Sequence, residues 1–95
     1  MVKSGKQKDV PVIEEFNSTD KDRSRSLILH NDEVNTFDFV IECLIDICDH
    51  NPVQAEQCTY IIHYKGKCEV KSGSYNYLNS MRLALIDKGL QATID

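Results

Sequence analysis

The chain has no run of about 20 consecutive apolar residues, the length a transmembrane helix needs, so a protein built on such a span is excluded. It has no Cys-x-x-Cys, so neither a zinc knuckle nor a thioredoxin-like motif is signalled. Its glycines number only 4, and none forms a phosphate-cradling loop. No nucleophile elbow, P-loop or dinucleotide fingerprint is present, and the chain reads as a non-enzyme. It also lacks a positive surplus. Lys and Arg number 11 against 15 Asp and Glu, a formal net charge of -4. That disfavours DNA or RNA as a partner, because a phosphate backbone wants a basic face. The start, Met1-Val-Lys-Ser-Gly-Lys-Gln-Lys, leads into polar sequence rather than an apolar run. No secretory leader is predicted, and a cytoplasmic protein is expected.

What is present is enough for one domain: 95 residues, 41% of them hydrophobic. The charge is unevenly spread. Residues 1–26 hold six basic groups (Lys3, Lys6, Lys8, Lys21, Arg23, Arg25) and five acidic ones (Asp9, Glu14, Glu15, Asp20, Asp22), a balance of +1. The remainder therefore holds 5 basic and 10 acidic groups, a balance of -5. All four cysteines lie there too. Residues 1–25 carry Val10, Val12, Ile13 and Phe16 but no sustained period. They are predicted to be a flexible N-terminal extension, disordered alone, whose 10–16 cluster could dock on a partner. Residues 26–95 are predicted to form the folded domain.

Within that domain the patterning is regular. Ser26 to His30 is an apolar run of strand length. A polar loop follows, after which Asn35 is placed to cap a helix with Asp38 as a short capping-box partner. Phe37, Val40, Ile41, Leu44, Ile45 and Cys48 make one helical stripe, with Cys43 off it. The helix must stop near His50-Asn51-Pro52. Asn51 and Pro52 start a second helix with Ala55, Cys58, Thr59 and Ile62 on one face. Gly66 suits a left-handed cap at its end. Lys67 to Lys71 alternates as a half-buried strand, broken by Ser72-Gly73-Ser74. Ser74 caps a third helix with Leu78, Met81 and Leu85 inward, closed by Lys88-Gly89. Leu90, Ala92 and Ile94 alternate as a last strand. The order β-α-α-β-α-β predicts an α+β fold, three helices packed on a small three-stranded antiparallel sheet.

Cys43, Cys48, Cys58 and Cys68, spaced by 5, 10 and 10, read as reduced core thiols rather than ligands. Asn31-Asp32-Glu33 is a polar strand-to-helix connection for which His63, at the end of the second helix, is a candidate partner. As a metal set, Asp32, Glu33 and His63 are sparse, so no metal and no cofactor are expected. These residues alone leave open a small Cys/His metal-binding or redox module.

Residues 27–40, Leu-Ile-Leu-His-Asn-Asp-Glu-Val-Asn-Thr-Phe-Asp-Phe-Val, resemble the signature of the ClpS family, adaptors of the Clp ATP-dependent protease. Ile62-His63-Tyr64-Lys65-Gly66-Lys67 resembles the family's second mark, and the two lie at the family's spacing. The resemblance covers residues 27–95. It implies an adaptor that binds proteins with a bulky hydrophobic first residue and delivers them to the N-terminal domain of a Clp AAA+ chaperone. It further implies a monomer that acts without cofactor. By family position Asn31, Asp32 and His63 would hold the substrate's α-amine. Asn35, Phe37, Val40, Thr59, Ile62 and Leu90 would line a pocket for its first side chain. This chain departs from the family where Asn35-Thr36 replaces a common Thr-Pro. It departs again where Phe37 and Thr59 each stand in place of a methionine. An interaction domain of the same fold without recognition of such N-termini is the other reading.

The implied chemistry suits the residues. An α-amine, with a pKa of about 7.7–8.0, is largely protonated at neutral pH. Asn31 offers a carbonyl oxygen, Asp32 a carboxylate, and neutral His63 a ring nitrogen. Capture of an N-terminal amine by fixed polar groups is an established recognition mode.

Overall fold

The computed structural model describes residues 24–95. The extension expected over residues 1–25, with its 10–16 cluster, lies outside the described residues except for its last two positions. The elements are β1 (Arg25–His30), α1 (Phe37–Cys48), α2 (Pro52–Lys65), β2 (Lys67–Gly73), α3 (Tyr75–Asp87) and β3 (Gln91–Ile94). The strands form one sheet in the order β2-β1-β3, both pairs antiparallel. Fold class and element order are those expected from the pattern. β1 begins one residue earlier than the pattern indicated, because Arg25 pairs with Gly73. For the same reason Ser72 and Gly73 continue β2 instead of breaking it.

The apolar run of β1 follows from its central place. Leu27 and Leu29 point into the helix-covered core, while Ile28 alternates to the other face beside its register partners Glu69 and Thr93. Leu27, Leu29, Leu44, Leu78 and Leu85 are fully buried and join β1 to α1 and α3. The ladder between β1 and β2 has one irregularity. Leu27 pairs with Lys71 and Ile28 with Glu69, which leaves Val70 as an extra, bulged residue. The Val70 carbonyl accepts a hydrogen bond from Nε2 of buried His50 at 2.7 Å. A carbonyl only accepts, so the ring proton sits on Nε2. Lys71 Nζ donates to the Cys48 carbonyl at 2.9 Å. The bulge is thus tied twice to the α1–α2 corner.

Helix ends follow mostly local rules. Asn51 accepts from the Gln54 amide, with Pro52 in the first turn of α2. Ser74 accepts from the Tyr77 amide at the start of α3. Gly66 ends α2 with φ 93°, a conformation that glycine takes without steric cost. α1 differs from expectation. Thr36, not Asn35, is its N-cap, accepting from the Phe39 amide at 3.1 Å. Asn35 is engaged elsewhere, and Asp38 is therefore no capping-box partner of it. α1 ends at Cys48 with Asp49 in the left-handed region (φ 63°).

Cys43, off the helical stripe, is nonetheless a core thiol as expected. It is buried, because α1 packs against α2, α3 and β2 and so hides an arc wider than one stripe. Burial pushes the Cys43 thiol up, and that of Cys48 up to about 11. Cys58 and Cys68 are half-buried, and desolvation pushes Cys68 up to about 12. All four are free thiols.

Candidate functional site

The end of β1, the loop after it, the first turn of α1, the last two turns of α2 and Leu90, just before β3, converge on one cavity of about 400 Å³. Asn31, Asp32, Asn35, Phe37, Val40, Thr59, Ile62, His63 and Leu90 all line it, so every predicted site residue is brought to the same place. Leu29, His30 and Glu33 line it as well. Of these, the sequence offers Glu33 only as a sparse metal ligand. Leu29 and His30 are neighbours in a strand, so alternation sends them to opposite faces. Only the strand's end, where the cavity lies, can use both. His30 Nε2 lies 2.7 Å from Thr93 Oγ1 of β3.

The polar wall is the 31–35 loop, and Asp32 shapes it. Its Oδ1 accepts from the amides of Val34 (2.9 Å) and Asn35 (2.8 Å), and its Oδ2 from Asn35 Nδ2 (3.0 Å). Partial burial pushes the Asp32 carboxyl up. The donors from Asn35 and Val34 outweigh this and hold it below its ordinary value of 3.8. It is an anion at neutral pH. A carboxylate has about four acceptor sites, and the loop takes three. Asn35 Nδ2 also donates to the Gly89 carbonyl at 3.1 Å, which ties the loop to the turn before Leu90. The Asn31 amide donates to the Gly66 carbonyl at 2.8 Å. Asn31 is thereby fixed to the end of α2, one turn from His63. The two marks read from sequence meet through that bond.

The apolar wall comes from α1, α2 and Leu90. Thr59, Ile62 and Leu90 are buried, while Phe37 and Val40 are half-buried toward the mouth. Thr59 Oγ1 donates to the Ala55 carbonyl at 2.7 Å. Its hydroxyl is thus taken up by its own helix rather than offered to the cavity. Phe37 meets the His63 ring edge-on at 6.2 Å between centroids. The arrangement suits a ligand with a cationic, donor-rich head and one apolar side chain. None of the cysteines lines the cavity. Among the described residues, no three His, Cys, Asp or Glu side chains gather to hold a metal ion, so Asp32, Glu33 and His63 form no such set. Among the same residues no helix is long and apolar enough to cross a membrane.

Comparisons with known proteins give the family and the fold. Residues 20–93 match the family described as ATP-dependent Clp protease adaptor protein ClpS. The ATP-dependent Clp protease adapter protein ClpS of Clostridium acetobutylicum is 35% identical over 54 residues, 57% of this chain and 54% of that protein. The protein of the same name from Acetivibrio thermocellus is 34% identical over 68 residues, 72% of this chain and 68% of that protein. The match thus spans about half the length of the first relative and about two thirds of the second. The solved structure of Agrobacterium tumefaciens ClpS2 bound to L-phenylalaninamide has the same fold, with a TM-score of 0.75 at 16% identity. That likeness covers 78% of this chain and 96% of the other.

Proposed function

The chain belongs to the ClpS family of Clp protease adaptor proteins, and from that membership we propose that it binds proteins through a free N-terminal amine and a bulky hydrophobic first side chain. It hands them to a Clp AAA+ chaperone for degradation and catalyses nothing itself. Asn31, Asp32 and His63 hold the amine. Asn35, Phe37, Val40, Thr59, Ile62 and Leu90 enclose the side chain. The observation that carries this reading is the single cavity that all nine line, one wall polar and anionic, the other apolar. The relative solved with L-phenylalaninamide, a free amine on a bulky apolar side chain, supports it.

The energetics fit the proposal. Burying a Leu or Phe side chain is worth about 1.5–3 kcal/mol. Leaving an acceptor such as Asp32 unpaired against a blocked N-terminus costs a comparable amount, about 1–3 kcal/mol. Acetylation of the amine should therefore cost roughly tenfold or more in affinity. The test is fluorescence anisotropy with a Phe-start peptide, free and N-acetylated. Equal affinities for the two would overturn the reading.

Delivery is tested separately, with a purified Clp chaperone and peptidase and a Phe-start reporter protein. Removing residues 1–24 leaves β1 whole, since the strand begins at Arg25. That variant should bind peptide as the full chain does but degrade the reporter more slowly. Lost peptide binding would contradict this division of labour. The same reading carries a cytoplasmic monomer that needs no cofactor.

A further inference from the structure

The cavity has an aromatic rim that its lining does not use. Phe37 meets Tyr60 edge-on, with ring centroids 4.9 Å apart. Tyr60 and Tyr64 stand parallel one turn apart on α2, 6.2 Å between centroids and 6° between planes. His63 meets Tyr64 edge-on at 5.2 Å. Phe37 and His63 line the cavity, whereas Tyr60 and Tyr64 lie outside it, 47% and 76% exposed. Two large rings held in fixed register at the mouth of a cavity form a surface for a planar partner.

We infer that Tyr60, stacked on Tyr64 and braced by Phe37, selects an aromatic second residue in the bound peptide. This rests on the proposed capture of a free N-terminus, and it adds a second determinant of substrate choice. The occupant follows from continuity. With the first side chain in the cavity and the amine at Asn31, Asp32 and His63, the inferred path of the chain runs past Phe37 and His63, the lining residues that touch the tyrosine pair. An extended peptide advances about 3.3–3.6 Å per residue, and the cavity-lining rings of Phe37 and His63 touch Tyr60 and Tyr64, so the tyrosine pair is the surface next to the cavity on that side. Rings at such spacings prefer edge-on or offset contact, and a fifth ring extends the set already present. Tyr60 is held by ring contacts with Phe37 and Tyr64, so its ring and not its hydroxyl is the selective element.

The experiment uses the full chain and free-amine peptides that begin Phe-Tyr or Phe-Ala and are otherwise identical. An aromatic contact of this kind should make Phe-Tyr bind roughly two- to tenfold more tightly than Phe-Ala. Tyr60→Ala should bring that ratio to about one while Phe-Ala affinity stays within about twofold. Tyr60→Phe should keep the ratio, because it keeps the ring. A ratio of one in the unaltered protein overturns the inference, and so does a ratio that survives Tyr60→Ala. An N-acetylated Phe-Ala peptide separates the two levels. If acetylation abolishes binding and the ratio is one, only the second-residue inference falls. If acetylation changes nothing, the capture reading falls and takes this inference with it.

Discussion

Asn35 bridges Asp32 and the far end of the chain through one nitrogen: its Nδ2 donates to the Asp32 carboxylate at 3.0 Å and to the Gly89 carbonyl at 3.1 Å. The loop that carries the polar wall is therefore locked to the turn that delivers Leu90. Asp32 is both a ligand group under the proposed function and the organiser of its own loop.

The Asp32 carboxyl should titrate below its ordinary 3.8, and NMR of the side-chain carboxyl against pH reads this directly. A depressed folded-state pKa contributes stability that is present above the unfolded value, near 3.8, and is lost as pH falls through the folded one. Order in the 31–35 loop should thus persist on acidification to below the ordinary carboxylate range. In Asn35→Ala, which removes the side-chain donor, the Asp32 midpoint should move upward. An unchanged midpoint would mean that the backbone donors alone set it.

The His50 bond to Val70 carries a stability prediction. His50→Ala leaves the carbonyl of a bulged, buried residue without its donor and opens a space in the corner. The lost bond alone is expected to cost about 1–3 kcal/mol, and the cavity adds to it. Urea unfolding followed by circular dichroism measures the sum. His50→Gln retains a donor and should recover part of the loss. A wild-type midpoint in His50→Ala would show the bond to be dispensable.

Thr59 is a buried wall residue of the cavity. Thr59→Leu adds volume to a buried wall position without removing a hydrogen bond that α2 needs. Affinity for a Trp-start peptide should then fall roughly tenfold more than affinity for a Leu-start peptide, since overpacking costs about 1–3 kcal/mol. A panel of free-amine peptides differing only at the first residue gives the comparison. Parallel losses across the panel would place Thr59 outside the first-residue pocket.

The buried thiols should be slow. Thiolate is the reactive form, and Cys48 is pushed from 9.0 up to about 11. At pH 8 its thiolate fraction falls roughly a hundredfold, so alkylation should lag the unfolded chain by at least that factor. Stopped-time iodoacetamide labelling with mass spectrometry resolves each cysteine. Cys48 and Cys43, both buried, should label after Cys58. Early labelling of Cys48 would indicate local opening of the α1–α2 corner.

Much of the fold was legible because its signals are local. The caps at Asn51, Ser74 and Gly66 act within one turn, and a helical stripe or strand alternation needs only neighbours. Thr36 in place of Asn35 as the cap of α1 is the exception that explains the rule. Both residue types cap helices, and what decided between them is Gly89, 54 residues from Asn35. Cys43 is a buried thiol as expected, yet its place off the helical stripe does not show why. Its burial depends on α3 as well as α2 covering α1, which periodicity along one helix does not reveal.

The site divides the same way. Sequence alone determined the residue types, the two motifs and their spacing, and with them the family and the nine candidate residues. The motifs imply the site through their resemblance to the family, and Thr59 and Leu90, which lie in neither motif, follow from family position alone. Tertiary structure alone decided that residues from 31 to 90 share one cavity, that Asp32 spends three acceptor sites on its loop, and that an aromatic rim stands at the mouth. Those facts depend on the Asn31–Gly66 and Asn35–Gly89 hydrogen bonds and on α2 packing beside α1, contacts between segments that no local period encodes.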